Sequence, residues 1–428
     1  MCLECERTAD LFLRTLKSSP RIGQLVRKIF CTGFSITDAA TGLRHQLAKV
    51  GGIAARREVE AMLQRTYAAI ISRCPNLTGL LLRSFDIPSL SPSYRAPPAL
   101  VDSFDLAAAT LTELCLWWIP QTRRDLNLLL PSMPALERAT LVWSHSYTAM
   151  HATRLPELPA GGYPKLRHLD LVACFTDETS LCDFLSKVAP SRTLKRLELA
   201  SVHAAVNEEI DNQTPLAWKT CSEPNIWLGQ VPQISETIQR LKLDAMLPLD
   251  SSRQLRMSAL VRLEIGLGCF PTDNAGVRPG MLPHSLREVL LYRDTEQIGP
   301  VTTKFGPWKF GLLAWEIIRC TQLQQAAPHV EPLGNLTHIF LRDLLRPEDI
   351  QIGRIETWNI IAAVMSGYGR AHNVEVTVEL DLDRTERWER EQQERADERS
   401  ITRRLGLTVS RPARAVGKLW RGMRKRGT

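Results

Sequence analysis

The sequence predicts an α/β solenoid of parallel strands stacked in chain order, and three observations predict it. An aliphatic template, Leu-x-x-Leu-x-Leu, recurs nine times in 428 residues. Most copies are spaced for one strand and one return segment each. Several intervals carry apolar residues at helical spacing. The template itself explains the strand. Its last two apolar positions are two residues apart and share one face, while the first lies where the chain turns into the strand. A single unit leaves its apolar edge open, and stacked units bury one another.

In chain order, Val59, Met62, Leu63, Ile70 and Ile71 mark a helix that Pro75 ends, ahead of the first copy at Leu77/Leu80/Leu82. Leu111/Leu114/Leu116, Leu136/Ala139/Leu141 and Leu166/Leu169/Leu171 follow. Thr176 or Asp177 is then placed to cap a helix bearing Leu181, Phe184, Leu185 and Val188, which Pro190 stops. The next copies are Leu194/Leu197/Leu199, Ile238/Leu241/Leu243, Leu260/Leu263/Ile265, Leu286/Val289/Leu291 and Leu336/Ile339/Leu341. Trp315, Ile318 and Leu323 suggest a helix before the last of these, and Ile360, Ile361 and Val364 one after it. A weaker tenth copy falls at Ala371/Val374/Val376. First positions step by 34, 25, 30, 28, 44, 22, 26 and 50 residues, so 199–238 and 291–336 read as insertions.

These residues resemble the leucine-rich repeats of ribonuclease-inhibitor-like proteins, a horseshoe solenoid with irregular repeats and parallel strands on its concave face. Phe12-Leu13-Arg14-Thr15-Leu16 with Pro20-Arg21-Ile22-Gly23, Cys74-Pro75-Asn76-Leu77-Thr78 and Tyr163-Pro164-Lys165-Leu166 look like the repeat region of fungal F-box-like proteins. That likeness covers about residues 10–380. It implies a substrate receptor for a ubiquitin ligase, docked to a cullin adaptor only if an F-box is supplied elsewhere, since the chain starts too late to hold one. Leu155-Pro156-Glu157-Leu158 looks like an F-box opening but sits between repeats and reads as a loop. The asparagine that closes regular strands of this type is mostly absent, which implies uneven curvature. The expected divisions are a helical N-terminal lead-in over 1–20, the solenoid over 21–380, a charged helix over 381–400 and a basic flexible tail over 401–428.

Composition narrows the class. Hydrophobic residues make up 44% and charged residues 23%, the balance of a folded chain rather than a disordered one. No apolar run is long enough to span a bilayer, and no signal peptide is evident. Ten dispersed cysteines suit a reducing compartment, so a cytoplasmic or nuclear location is expected. Nine basic and no acidic residues lie between Arg403 and Arg426, which accounts for the whole net charge of +8. The Cys2-x-x-Cys5 pair has no second half, and Gly266-x-Gly268 runs into Pro271. No cofactor, metal or catalytic set is expected, and the chain reads as a non-enzyme.

The template also names the outward residues of each strand. One row contains Arg138, His168, Arg196, Arg240 and Arg262, basic over five consecutive copies. The next contains Asp170, Glu198, Lys242, Glu264 and Phe340; a third contains Trp117, Tyr292 and Arg342. Either the basic row meets an acidic or phosphorylated partner, or the acids of the next row answer it laterally. Trp117, Tyr292 and Phe340 are the aromatic anchors, unless they pack beneath an inserted loop. An unknown protein is the partner expected on this face. In the tail, Trp420 lies among Lys418, Arg421, Arg424, Lys425 and Arg426, a pattern suited to an anionic membrane or nucleic acid, to nuclear import, or to solubilisation. The expected function is protein recognition; the alternatives are a scaffold unrelated to ubiquitin and a protein targeted by its tail.

Overall fold

The computed structural model describes residues 2–3, 6–31, 65–83, 98–119, 132–143, 155, 158, 161–172, 178–188, 190–200, 228–243, 255–269, 281–293, 307–321, 333–345 and 354–382. The charged segment at 384–399, the tail at 401–428, the cap residues Thr176 and Asp177, and the helix positions Val59, Met62, Leu63 and Leu323 lie outside them.

Among the described residues twelve strands form one sheet whose spatial order is the sequence order. They are β1 (Cys2–Leu3), β2 (Lys28–Cys31), β3 (Gly79–Arg83), β4 (Glu113–Ile119), β5 (Arg138–Trp143) and β6 (His168–Val172). Then come β7 (Arg196–Ala200), β8 (Arg240–Leu243), β9 (Arg262–Gly266), β10 (Glu288–Tyr292), β11 (His338–Leu345) and β12 (Glu375–Leu382). Every neighbouring pair is parallel. Parallel neighbours need a return connection, which brings each strand back to its starting edge.

The register matches the template copy by copy. Leu169 pairs with Leu197 and Leu197 with Leu241, so these leucines are successive rungs of one row. The inward positions of all nine copies are buried at 4% exposure or less, apart from the half-buried Leu82. Strands in the middle of the sheet alternate half-buried and buried residues, one side facing the core and the other open.

Three differences from the sequence-based expectation emerge. The sheet starts upstream of the first recognised copy: Val26, Ile29 and Cys31 obey the spacing and deliver β2, and β1 pairs with it. The tenth copy is shifted by two residues, because pairing sets Val376, not Val374, opposite Ile339. A two-residue shift keeps the same residues facing inward, so alternation alone could not fix it. Finally, the helix marked by Ile360, Ile361 and Val364 forms, but only Ile361 of the three is buried, together with Trp358 and Met365, while Ile360 and Val364 are exposed.

Among the described residues eight helices lie in the return segments: α1 (Glu6–Ser18), α2 (Pro20–Leu25), α3 (65–71), α4 (Pro98–Ala108), α5 (Glu178–Val188), α6 (Pro232–Ser235), α7 (Pro307–Arg319) and α8 (Arg354–Ala371). In α5 the predicted face, Leu181, Phe184, Leu185 and Val188, is the buried one. Gly162, at a φ of +55°, passes so close to the end of α5 that a Cβ there would stand 2.2 Å from the Lys187 carbonyl oxygen. Only glycine fits both that backbone and that gap. Helices α7 and α8 meet through Phe310 and Trp358, whose rings are 4.9 Å apart.

Backbone groups at the turns are satisfied by a ladder. In the first eight copies one carbonyl accepts two N–H groups from the next, as Arg167 does from Lys195 and Arg196, and Lys195 does from Gln239 and Arg240. The residue ahead of the first apolar position adds a side-chain rung. Thr110 donates to the Leu77 carbonyl at 2.7 Å, Thr193 to Leu166 at 2.8 Å and Ser285 to Leu260 at 2.8 Å. This ladder secures the N-terminal ends of the strands with hydroxyls.

Candidate functional site

The open side of the sheet assembles most of the predicted partner-binding residues, because β-alternation and in-register pairing bring them into rows. Arg138, His168, Arg196, Arg240 and Arg262 follow one another strand by strand, and so do Asp170, Glu198, Lys242 and Glu264. Tyr292 pairs with Arg342 in a third row, to which the Trp117 backbone also belongs; the Trp117 side chain lies outside the described residues.

Lateral pairing answers much of the basic row. In β6, β7 and β9 the basic residue reaches the acid two positions on: His168 Nε2 lies 2.7 Å from Asp170 Oδ1, Arg196 Nη2 3.4 Å from Glu198 Oε2, and Arg262 Nε 2.9 Å from Glu264 Oε1. Pairing also crosses strands. Lys242 Nζ lies 2.5 Å from Glu198 Oε1, and Arg262 Nη1 3.1 Å from Glu288 Oε2. Two members differ. Arg138 and Arg240 are exposed, and neither forms an ion pair among the described residues.

Asp170 anchors the network. Burial pushes its carboxyl upward, but hydrogen bonds and charge from His168, the Thr140 hydroxyl at 2.8 Å and the charge of Arg196 outweigh burial and hold it below the ordinary aspartate value.

The aromatic candidates are held by neighbours on the sheet itself. The Tyr292 hydroxyl donates to the Leu243 carbonyl at 2.8 Å, and Lys242 Nζ sits 5.6 Å from its ring. Phe340 stacks on His338, with Arg262 5.6 Å from its centre. Arg342 pairs with Glu379 at 2.5 Å.

Lys28, Phe30, Glu375 and Glu379 of this face escaped sequence reasoning. Lys28 of β2 reaches over β3 to Glu113 of β4 at 2.6 Å. Gly79 makes that crossing feasible, since a Cβ there would meet the Lys28 side chain at 2.9 Å. Phe30, partly exposed, joins Leu81 and Cys115 on the floor of a shallow depression rimmed by Glu113 and Arg138. The signal was present in Val26-x-x-Ile29-x-Cys31, with a cysteine in the place of the last leucine. Glu375 and Glu379 became visible only with the register of β12.

Among the described residues no group of three His, Cys, Asp or Glu side chains is placed to hold a metal ion. Burial pushes the Cys74 and Cys320 thiols up to about 11, away from thiolate chemistry. Among the described residues no helix is long and apolar enough to cross a membrane. A scan against protein-family models and a search of curated proteins both find no match.

Proposed function

We propose that this chain is a protein-recognition module of the leucine-rich-repeat type, holding a partner against the open side of its sheet. One observation carries the reading: in-register pairing turns scattered residues into continuous outward rows, and two exposed guanidinium groups in one row have no acid to answer them among the described residues. The repeat type rests on the Leu-x-x-Leu-x-Leu copies, each coinciding with one strand, and on helices among the return segments. The resemblance to F-box-like repeat regions extends the proposal to a substrate receptor, for which co-purification with a cullin adaptor is the test.

Site-specific photo-crosslinking tests the face. A crosslinking residue is placed at Arg138, Arg240 or Phe340 on the sheet, or at Leu106 or Ile360 on the exposed sides of α4 and α8. Capture of one protein from the three sheet positions and not from the helices is the expected result. Capture confined to the helix positions would overturn the proposal.

A further inference from the structure

Three strands in the middle of the sheet follow one rule, and the strand between two of them departs from it. In β6, β7 and β9 the two outward residues are a base and then an acid: His168 and Asp170, Arg196 and Glu198, Arg262 and Glu264. Each strand closes its own ion pair. In β8 the same two positions are Arg240 and Lys242, both cationic. Lys242 is drawn to Glu198 of β7 and lies over Tyr292 of β10. Arg240 stands exposed between Arg196 and Arg262, its register partners, whose guanidinium groups are turned to acids of their own. Strands are ~4.8 Å apart, so Arg240 sits in a field of like charge with a full set of donors turned to solvent. The missing component is one carboxylate, at the place where every neighbouring strand supplies its own.

We infer that β8 seats an acidic segment of the partner protein, with Arg240 gripping a carboxylate in place of the acid that β8 lacks. The inference rests on the proposal that the sheet face is the recognition surface. It adds the chemistry of the partner and the residue that selects it. Carboxylate is the favoured chemistry because the strands on either side of β8 each match an arginine to a carboxylate, so an incoming acid continues the pattern on both sides. The identity of residue 242 acts as the switch. A base there leaves Arg240 available to a partner, whereas an acid there would close β8 on itself, as its neighbours are closed.

The test uses the full chain with Arg421, Arg424, Lys425 and Arg426 changed to Gln, so that the tail does not mask the face. A fluorescein-labelled hexaglutamate peptide is titrated and followed by anisotropy. Arg240→Gln weakens binding about fivefold, the scale of one partly exposed charge pair, and flattens its salt dependence. Lys242→Glu weakens it at least as much, because β8 then closes its own pair, and it lowers the melting temperature modestly through the lost contacts with Glu198 and Tyr292. Arg138→Gln, three strands away, changes it little. Equal binding by the parent and Arg240→Gln would overturn the inference. So would tight binding of an oligothymidylate with none of hexaglutamate, which would point to nucleic acid. If the inference fails while crosslinking at Arg138 and Phe340 still captures one protein, the recognition face stands and only its acid selectivity falls.

Discussion

The middle of the sheet, β6 to β9, and its C-terminal end, β10 to β12, solve the same problem differently. In the middle, charge lies on the outer face and is cancelled largely within each strand, while the inner positions are aliphatic. At the end, outer charges cancel between strands, as with Arg342 and Glu379 or His338 and Glu375. There a charge also enters the interior. Asp343 of β11 is fully buried; the Trp358 indole N–H donates to it at 2.8 Å, and Arg293 Nε lies 3.1 Å away. An interior rung is covered on both sides by copies of itself, so repetition suffices. Among the described residues β12 has no copy beyond it. Strands β11 and β12 are longer, and this end is backed by the α7–α8 pair and tied together by a buried ionic and indole node.

Breaking that node gives the largest expected effect. Asp343→Ala removes the acceptor for Trp358 and the buried carboxylate that Arg293 meets at 3.1 Å. Losing one partner of such a pair costs ~3–5 kcal/mol. Urea unfolding followed by tryptophan fluorescence should show the loss, with Asp343→Asn intermediate because an amide oxygen still accepts from the indole. A cost no larger than that of an outer-face substitution would erase the distinction between the two regions.

This comparison also separates what the sequence revealed from what it concealed. The nine copies and the three outward rows were readable, because period-2 alternation and a fixed offset place Arg196, Glu198 and Ala200 on one side whatever lies between strands. The ends were harder. Strand β1 has two residues, β2 swaps a leucine for a cysteine, and β12 was misplaced by two because Val374, Val376 and Val378 are interchangeable in alternation. Asp343 carries no sequence signal of burial; its place follows from the extension of β11 past the template, where alternation turns it inward with Ile339 and Leu341. Which base meets which acid was also hidden, since both the lateral and the partner-facing arrangements suit the same residues. The structure divides them, pairing Arg196 and Arg262 and leaving Arg138 and Arg240 exposed.

A smaller effect tests the middle region through pH. The folded-state value of Asp170 is depressed, so its ionised form supports the fold. Its contribution is complete above the ~3.9 of an unfolded aspartate and is lost as pH falls through the lower folded value. Wild type should therefore lose melting temperature on acidification across that window more steeply than Asp170→Asn. Parallel profiles would mean that the His168–Asp170–Thr140 contacts contribute nothing to the middle rungs.

The smallest effect is the sharpest test of how the outer face is divided. Arg196 is a paired base and Arg240 an exposed one in the adjacent strand of the same row. Arg196→Gln gives up a partly exposed ion pair worth ~0–1 kcal/mol. Arg240→Gln gives up no intramolecular pair among the described residues and relieves repulsion from its two register neighbours, so its stability should equal or slightly exceed that of wild type. Differential scanning calorimetry at low ionic strength should rank Arg240→Gln above Arg196→Gln, and added salt should bring the two together. An exposed arginine whose removal costs the fold nothing is available for contact outside the chain, which is what the proposed recognition face requires of Arg240.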